Sequence, residues 1–249
     1  MIDRAPPAGY ERIAAGRCLV TVRAANVEDA RALLSEGMLY EAAARDLAAR
    51  PLQGRGTAYA ITLPASGEGV VVRRNRHGGL LAPVTGDLFL APSRAPHELA
   101  VALRLARVGV RTPAVVMYGL ERMHALFCHA DVVTTEIADS RDLSEYLQDG
   151  VPQRERRAAW NAALALVATL NAAGARHHDL NVKNILLAPS GDSLVAWVLD
   201  VDRVVFGAPG SEAVRKGNAK RLLRSAIKWR EQRGALFSDE DASLLERVP

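Results

Sequence analysis

Residues 177–187, which read HHDLNVKNILL, are the most informative stretch of this 249-residue chain. Asp179 and Asn184 stand five residues apart, and the apolar run that ends the stretch has the composition of a buried strand. After a short turn, a second apolar run ends in the acidic segment at residues 198–203, VLDVDR. A polar turn between a helix and a strand would explain a lone aspartate. The combination of His177, Asp179, Asn184 and the second acidic segment instead indicates a site where oxygen-bearing side chains converge.

The pattern H-x-D-L-x-x-x-N-I-L-L resembles the catalytic loop of kinases, and the hydrophobic-D-x-D segment resembles the magnesium site that follows it. Phosphoryl transfer needs a carboxylate that orients and deprotonates the attacking hydroxyl, and Asp179 has this position. It also needs oxygen ligands from two chain segments for a divalent cation, and Asn184 and Asp200 supply them. We expect His177 to brace the loop backbone. The resemblance implies ATP and Mg²⁺ as cofactors.

The half of the chain before this loop is rich in strand patterns and offers a nucleotide-binding lobe. Predicted strands at residues 57–63 and 69–74 form a hairpin. Arg73 takes the position of the strand lysine of kinases, with Arg74 as the alternative, although arginine changes the geometry of phosphate binding. Glu98, at the start of the following helix, is expected to hold that cation.

Three further contacts with the nucleotide are predicted. Gly54 and Gly56 flank a turn whose backbone amides would cover the phosphates, although an ordinary hairpin turn explains two glycines equally well. Glu136 belongs to a segment, residues 134–138, that resembles the interlobe hinge whose backbone pairs with adenine; an edge strand leading to a loop is the alternative. Asn181 stands where protein kinases usually carry lysine, and we assign it to the nucleotide site.

The order of elements, β-rich first and helix-rich second, predicts an α+β, protein-kinase-like fold of two lobes. We expect a β-rich N-lobe over residues 51–137 and a reduced helical C-lobe over residues 138–249, preceded by an extension, residues 1–50, of unknown role. Because 49 residues follow Asp200, there is no room for the large helical lobe that grips a polypeptide, and a small hydroxyl acceptor is favoured. The other predicted elements are strands at 18–22, 114–118 and 125–130, and helices at 27–49, 97–108, 143–147, 154–173, 212–233 and 239–247.

Composition sets outer limits on function. The net charge of +4 is compatible with anionic partners but does not select one. Cys18 and Cys128 are too few for a disulfide scaffold or a zinc site. The N-terminus lacks a signal-peptide pattern, and no apolar run approaches the roughly 20 residues that span a bilayer. We expect a cytoplasmic protein with no nucleic-acid partner, and no obligate protein partner is evident.

Beyond the general kinase pattern, the chain resembles the bacterial lipopolysaccharide kinase family. Besides the two segments quoted above, the resemblance rests on RRNRHGGL at 73–80, HEL at 97–99, GVRTP at 109–113 and NAKRLLRS at 218–225. It is closest to the members that act on 3-deoxy-D-manno-octulosonic acid (Kdo). Two departures are Val201, which replaces the aromatic residue usual between the acidic residues, and residues 1–50, which match nothing in the family.

The family resemblance implies ATP-dependent phosphorylation of a lipid-linked sugar of the Kdo-lipid A type, at the cytoplasmic face of the inner membrane. Basic residues are then expected to meet the sugar carboxylate, lipid phosphates or an anionic membrane surface, and the candidates are Arg74, Arg76, His77 and Arg203. Two alternatives stay open. One is a heptose or aminoglycoside-like small-molecule kinase. The other is a pseudokinase that binds nucleotide without transfer, suggested by arginine in place of the strand lysine.

Overall fold

The computed structural model describes residues 5–52, 57–74, 89–90, 94–122 and 127–249. Contacts divide the chain into two compact units. One comprises Met1–Ala100 and Ala114–Glu136, and the other comprises Val101–Pro113 and Ile137–Pro249. The described part of residues 1–50 belongs to the first unit. The division into an extension of unknown role, an N-lobe and a C-lobe stays a prediction.

The first unit is built on an antiparallel sheet. Its strands within the described residues are β1 (Tyr10–Ala15), β2 (Cys18–Arg23), β3 (Arg50–Leu52), β4 (Ala58–Thr62), β5 (Gly69–Arg74), β6 (Phe89–Leu90), β7 (Val115–Arg122) and β8 (Phe127–Thr135). They pair in the order β1-β2-β7-β8-β5-β4-β3, and β6 pairs with β8. The predicted hairpin is confirmed, because β4 and β5 pair from Ala58↔Arg73 to Thr62↔Gly69.

Two helices, α1 (Val27–Glu36) and α2 (Leu39–Arg45), belong to the core of this unit. The single helix predicted over residues 27–49 is wrong, because Gly37 has a φ of 137° between them, a conformation that favours glycine and ends α1. The core buries Val70 and Val72 of β5 together with residues of both helices. Because side chains alternate along a strand, Val71 and Arg73 lie on the opposite face of β5.

The helix predicted at 97–108 is confirmed as α3 (Ala95–Arg107), which begins in the first unit and ends in the second. The other helices of the second unit are α4 (Leu143–Tyr146), α5 (Gln153–Ala172), α6 (Glu212–Arg233) and α7 (Asp239–Glu246). All four agree with the sequence prediction to within a residue or so at each end. Among the described residues, no helix combines the length and apolar content needed to cross a bilayer.

Five short strands of the second unit position its loops. They are β9 (Arg141–Asp142), β10 (Ala175–His177), β11 (Ile185–Ser190), β12 (Ser193–Val198) and β13 (Val204–Phe206). β12, β11 and β9 form one sheet, and β10 pairs with β13 to form another. The loop at 178–184 joins β10 to β11, and the acidic segment at 199–203 joins β12 to β13. Each of the two polar segments therefore connects a strand of one small sheet to a strand of the other.

Candidate active site

His177 supports the backbone of the polar loop at residues 178–184. Its side chain is fully buried at the end of β10. Nδ1 accepts a hydrogen bond from the Asp179 N–H (3.1 Å), and Nε2 lies 2.9 Å from the Leu199 carbonyl, to which it donates in the matching tautomer. Burial lowers the pKa of His177, which keeps the imidazole neutral, as these two bonds require. The expectation that His177 braces the loop is confirmed.

Asn184 is held so that its carbonyl oxygen can face a cation. The side chain is 8% exposed, and Nδ2 donates to the Asp179 backbone carbonyl at 2.9 Å. Oδ1 is then the atom left for a ligand. The Leu199 N–H donates to the backbone carbonyl of Asn184 at 2.9 Å, which places the acidic segment beside the loop.

Asn181 holds the backbone of the loop through both ends of its side-chain amide. Its Nδ2 donates to the Asp179 carbonyl (2.9 Å), and its Oδ1 accepts from the N–H groups of Lys183 (2.9 Å) and Asn184 (3.2 Å). With these bonds, the Asn181 side chain stabilises the backbone conformation of the loop. A contact with the nucleotide stays a prediction.

Asp200 has the left-handed backbone conformation, with φ 53° and ψ 47°. This conformation costs a non-glycine residue about 1–2 kcal/mol and is concentrated at functional sites. The residue before it, Leu199, is bonded through its carbonyl to His177 and through its N–H to Asn184. Backbone hydrogen bonds therefore join the segments that carry Asp179, Asn184 and Asp200, and Asp200 itself is exposed.

Arg221, on α6, is a site residue to which the sequence assigned no role. Its guanidinium forms an ion pair with Oδ1 of Asp179, and its Nε donates to the His178 carbonyl at 3.1 Å. The side chains of Arg221 and Asp179 are 35% and 29% exposed. The segment 218–225 contributed to the family resemblance, but a contact across 42 residues leaves no local pattern by which it could be found.

α6 also supports the loop from inside the second unit. The buried Asn218 accepts from the His177 N–H at 2.9 Å and donates to the Ala175 carbonyl at 2.9 Å. Two turns further, Ser225 accepts from the Val182 N–H at 3.2 Å. One helix therefore fixes the backbone both just before the loop and within it.

In the first unit, the predicted pair of Arg73 and Glu98 is present as an ion pair, with Glu98 4% and Arg73 28% exposed. Arg74 lies on the other face of β5, where it binds the buried Asp131 at 2.9 Å and Glu41 at 2.6 Å. The geometry therefore favours Arg73 over Arg74 as the counterpart of the strand lysine. Because the Arg74 side chain is only 11% exposed and doubly paired, its prediction as a surface contact for the acceptor is wrong.

The remaining predicted contacts have mixed outcomes. Gly54, Gly56, Arg76 and His77 lie outside the described residues. Arg203 is exposed, and its Nε lies 3.9 Å from Oδ2 of Asp202. Glu136 donates its N–H to the Gly69 carbonyl at 2.9 Å and pairs its carboxylate with Arg50. An adenine at this segment would therefore have to use other backbone groups than the Glu136 N–H.

One unit combines an antiparallel sheet with an Arg–Glu pair between a strand and a helix, and the other carries a braced H-x-D loop. Together these features define the class of kinase-like α+β proteins. Among solved structures, the chain is similar to "WaaP in complex with acyl carrier protein", with a TM-score of 0.56 and 22% identity, covering 88% of this chain and 84% of that chain. This likeness shows the fold and confirms the predicted fold class.

The lipopolysaccharide kinase (Kdo/WaaP) family matches residues 43–239, and the chain belongs to this family. It is 34% identical over 208 residues to a 3-deoxy-D-manno-octulosonic acid kinase of Stenotrophomonas maltophilia (strain K279a), covering 80% of this chain and 78% of the relative. The corresponding kinase of Photobacterium damsela subsp. piscicida is 30% identical over 203 residues, covering 79% of each chain. The predicted family is confirmed, and the chain is a phosphotransferase with a hydroxyl acceptor.

Proposed function

We propose that this protein transfers the γ-phosphoryl group of ATP to a hydroxyl of Kdo in a lipid-linked lipopolysaccharide precursor. The observation that carries the proposal is the hydrogen-bonded loop cluster that joins Asp179, Asn184 and the segment of Asp200. The curated relatives named as Kdo kinases support the acceptor. The pseudokinase alternative loses its basis, because Arg73 forms the ion pair expected of the strand lysine.

Each residue of the cluster has a chemical task. Asp179 accepts the proton of the attacking hydroxyl, and its backbone carbonyl is tied down by Asn184 and Asn181. Asn184 Oδ1 and the Asp200 carboxylate are hard oxygen donors that fit Mg²⁺ and would hold it. When bound, the ion neutralises charge on the nucleotide phosphates. Arg73, a residue of the first unit that Glu98 holds in place, is the proposed phosphate contact.

The direct test replaces Asp179 with Asn, which keeps the shape of the side chain and removes its basicity. We expect the turnover of Mg·ATP and a Kdo-bearing lipid A precursor to fall by about 10²–10⁴-fold, measured by mass spectrometry of the phosphorylated lipid. Nucleotide binding should persist. Asp192→Asn, in the exposed β11–β12 turn, is the matched control. Unchanged turnover in Asp179→Asn would refute the proposed role of this carboxylate.

The acceptor is tested separately with a panel of lipid-linked sugars. We expect phosphate on Kdo-bearing precursors and none on acceptors that lack Kdo. Efficient transfer to a heptose or an aminoglycoside without Kdo would leave the kinase chemistry intact and overturn the acceptor. Nucleotide binding without transfer to any acceptor would favour the pseudokinase.

We also propose that the protein acts at the anionic cytoplasmic face of the inner membrane, and α6 offers the contact surface. Lys216, Lys220, Arg224 and Lys228 follow each other at intervals of four residues and are all exposed. We call these four residues the basic row; helical geometry places them on one side of α6. Each Lys or Arg near an anionic surface contributes about 1 kcal/mol to attraction. Arg221, which contacts Asp179, adjoins the basic row, so a membrane held there would bring lipid-linked sugars near the carboxylate.

A further inference from the structure

The catalytic loop supplies no ammonium or guanidinium group to its own aspartate. Asn181 occupies the position of a lysine, and both its amide ends are bonded to the loop backbone. Lys183, the lysine of the loop, is directed elsewhere: its Nζ lies 2.8 Å from Asp142 Oδ2 and 5.5 Å from the centroid of the Trp229 ring. Phosphoryl transfer places negative charge on the oxygens of the migrating group, next to the carboxylate that takes the hydroxyl proton. A side-chain cation beside Asp179, in addition to the proposed Mg²⁺, must therefore come from another element.

The structure assigns this task to Arg221: we propose that its guanidinium, anchored on the catalytic loop, is the catalytic cation that contacts the phosphoryl group in transit. The assignment rests on the proposed function. Nε is fixed to the His178 carbonyl, and the ion pair engages Oδ1 of Asp179. Oδ2 is then the oxygen left to receive the proton, and the remaining N–H groups of Arg221 are available to phosphoryl oxygens.

The step balances without another reactant. The acceptor oxygen forms a bond to the γ-phosphorus while the bond between that phosphorus and the bridging oxygen breaks, and the electron pair leaves with ADP. The hydroxyl proton passes to Asp179 Oδ2. Arg221 stays protonated throughout, and its charge offsets the charge on the transferred oxygens.

The rigidity of the support for Arg221 distinguishes it from an ordinary surface arginine. One turn before it, Asn218 is buried and bonded to the His177 N–H, and one residue after it, Leu222 is fully buried. The helix and the loop are therefore locked together on the side from which Arg221 reaches Asp179. A residue placed by such a scaffold meets the precision that charge stabilisation in a transition state requires.

The test compares Arg221→Gln and Arg221→Lys with Arg215→Gln, an exposed arginine on the same helix. In Arg221→Gln we expect kcat to fall by about 10²–10³-fold, as for loss of one donor to a transition-state charge, while the KM for ATP changes less than about threefold. Arg221→Lys should recover part of kcat because it keeps the charge but loses the two-point anchor. Arg215→Gln should behave as the wild type. Thermal unfolding should match across the set.

Two further measurements separate this role from a structural one. Added guanidinium should restore turnover in Arg221→Gly, and sodium chloride at the same ionic strength should not. The double variant Asp179→Asn, Arg221→Gln should be no slower than Asp179→Asn alone, because the two groups act as a unit. Turnover of Arg221→Gln within twofold of Arg215→Gln would overturn the inference while leaving the kinase proposal standing. A wild-type protein that transfers no phosphate would overturn both.

Discussion

At the scale of the residue, the neutral state of His177 holds the loop in shape. One ring nitrogen must accept from the Asp179 N–H and the other must donate to the Leu199 carbonyl. The neighbouring carboxylates of Asp200, Asp179 and Asp202 favour a charged imidazole, but burial disfavours it more strongly and the pKa of His177 is lowered. A second proton would set two donors against each other at Nδ1. The loop geometry therefore depends on His177 staying uncharged.

This lowered pKa predicts a specific pH dependence of stability. Below an unfolded pKa of about 6.5, the unfolded chain binds a proton at His177 that the folded chain does not. Stability should therefore fall as the pH drops below about 6.5, by at most about 1.4 kcal/mol per pH unit, until the folded pKa is reached. Urea unfolding between pH 7.5 and 5 measures the effect. His177→Gln should flatten this part of the profile, and the exposed neighbour variant His178→Gln should not; equal profiles for both would contradict the explanation.

Some residues of the candidate site were predicted from the sequence, and others were not. Asp179 and Asn184 were predicted because both belong to one short loop, whose spacing is fixed by the turn itself. Arg221 and Asn218 reach that loop from a helix about 40 residues away, and their contacts depend on tertiary packing. The bracing role of Asn181 was also missed, since an asparagine that folds a loop and one that binds a ligand look alike in sequence.

At the scale of the element, α6 combines two surfaces. Asn218, Leu222 and Ser225 are buried and support the loop, whereas the basic row faces solvent. The bounds of this helix were predicted correctly, since a run of strong helix formers starts after Ser211 and ends at Gly234, which has the left-handed conformation. Its two roles were not predicted, because they follow from which side of the helix packs inward.

The basic row predicts a measurable attraction to anionic membranes. The variant Lys220→Gln, Arg224→Gln, Lys228→Gln should lose about 3 kcal/mol of binding, or roughly 100-fold in affinity, to phosphatidylglycerol-containing vesicles at low salt. Its turnover on a detergent-dispersed acceptor should be preserved, since the loop is bonded to other residues of α6, namely Asn218, Arg221 and Ser225. Co-sedimentation with vesicles provides the measurement.

The control variant, Arg107→Gln, Arg154→Gln, Arg157→Gln, removes the same charge from exposed positions outside α6. If it loses as much vesicle binding as the first variant, the attraction belongs to the net charge and not to α6. Retained binding in the first variant would also contradict the proposed surface.

Other elements show where local patterns fail. β1 was missed, because its sequence YERIAA lacks the alternation of a half-buried strand, and all six of its residues are at least partly exposed. β3 has three residues, too few for a period to be recognised. The break at Gly37 was overlooked because the apolar pattern continues across it into α2. Elements with strong internal periodicity, such as α5 and the β4–β5 hairpin, were predicted correctly.

At the scale of the whole molecule, hydrogen bonds link the start of the loop at residues 178–184 to the last residue of the second unit. His177 donates its N–H to Asn218, Asn218 donates to Asn171 at 3.0 Å, and Asn171 donates to the Pro249 carbonyl at 2.9 Å. α7 packs nearby through the buried Leu245, and Phe237 meets Trp160 edge to face with centroids 5.1 Å apart. The loop cluster is thus part of the cooperative structure of this unit, so that binding at the loop should stabilise the unit as a whole.

That coupling makes metal binding visible in unfolding, because the three tryptophans, Trp160, Trp197 and Trp229, all belong to the second unit. Their fluorescence should report a higher unfolding midpoint with Mg·ATP than with ATP and EDTA, and a ligand at 100 times its Kd adds about 2.7 kcal/mol. Asp200→Asn tests the metal ligand without disturbing its backbone, since asparagine tolerates the left-handed conformation at φ 53°. This variant should lose the Mg²⁺-dependent part of the rise, whereas Asp192→Asn should keep it. A full Mg²⁺-dependent rise in Asp200→Asn would remove Asp200 from the proposed metal site, since its charge would then be irrelevant to the cation.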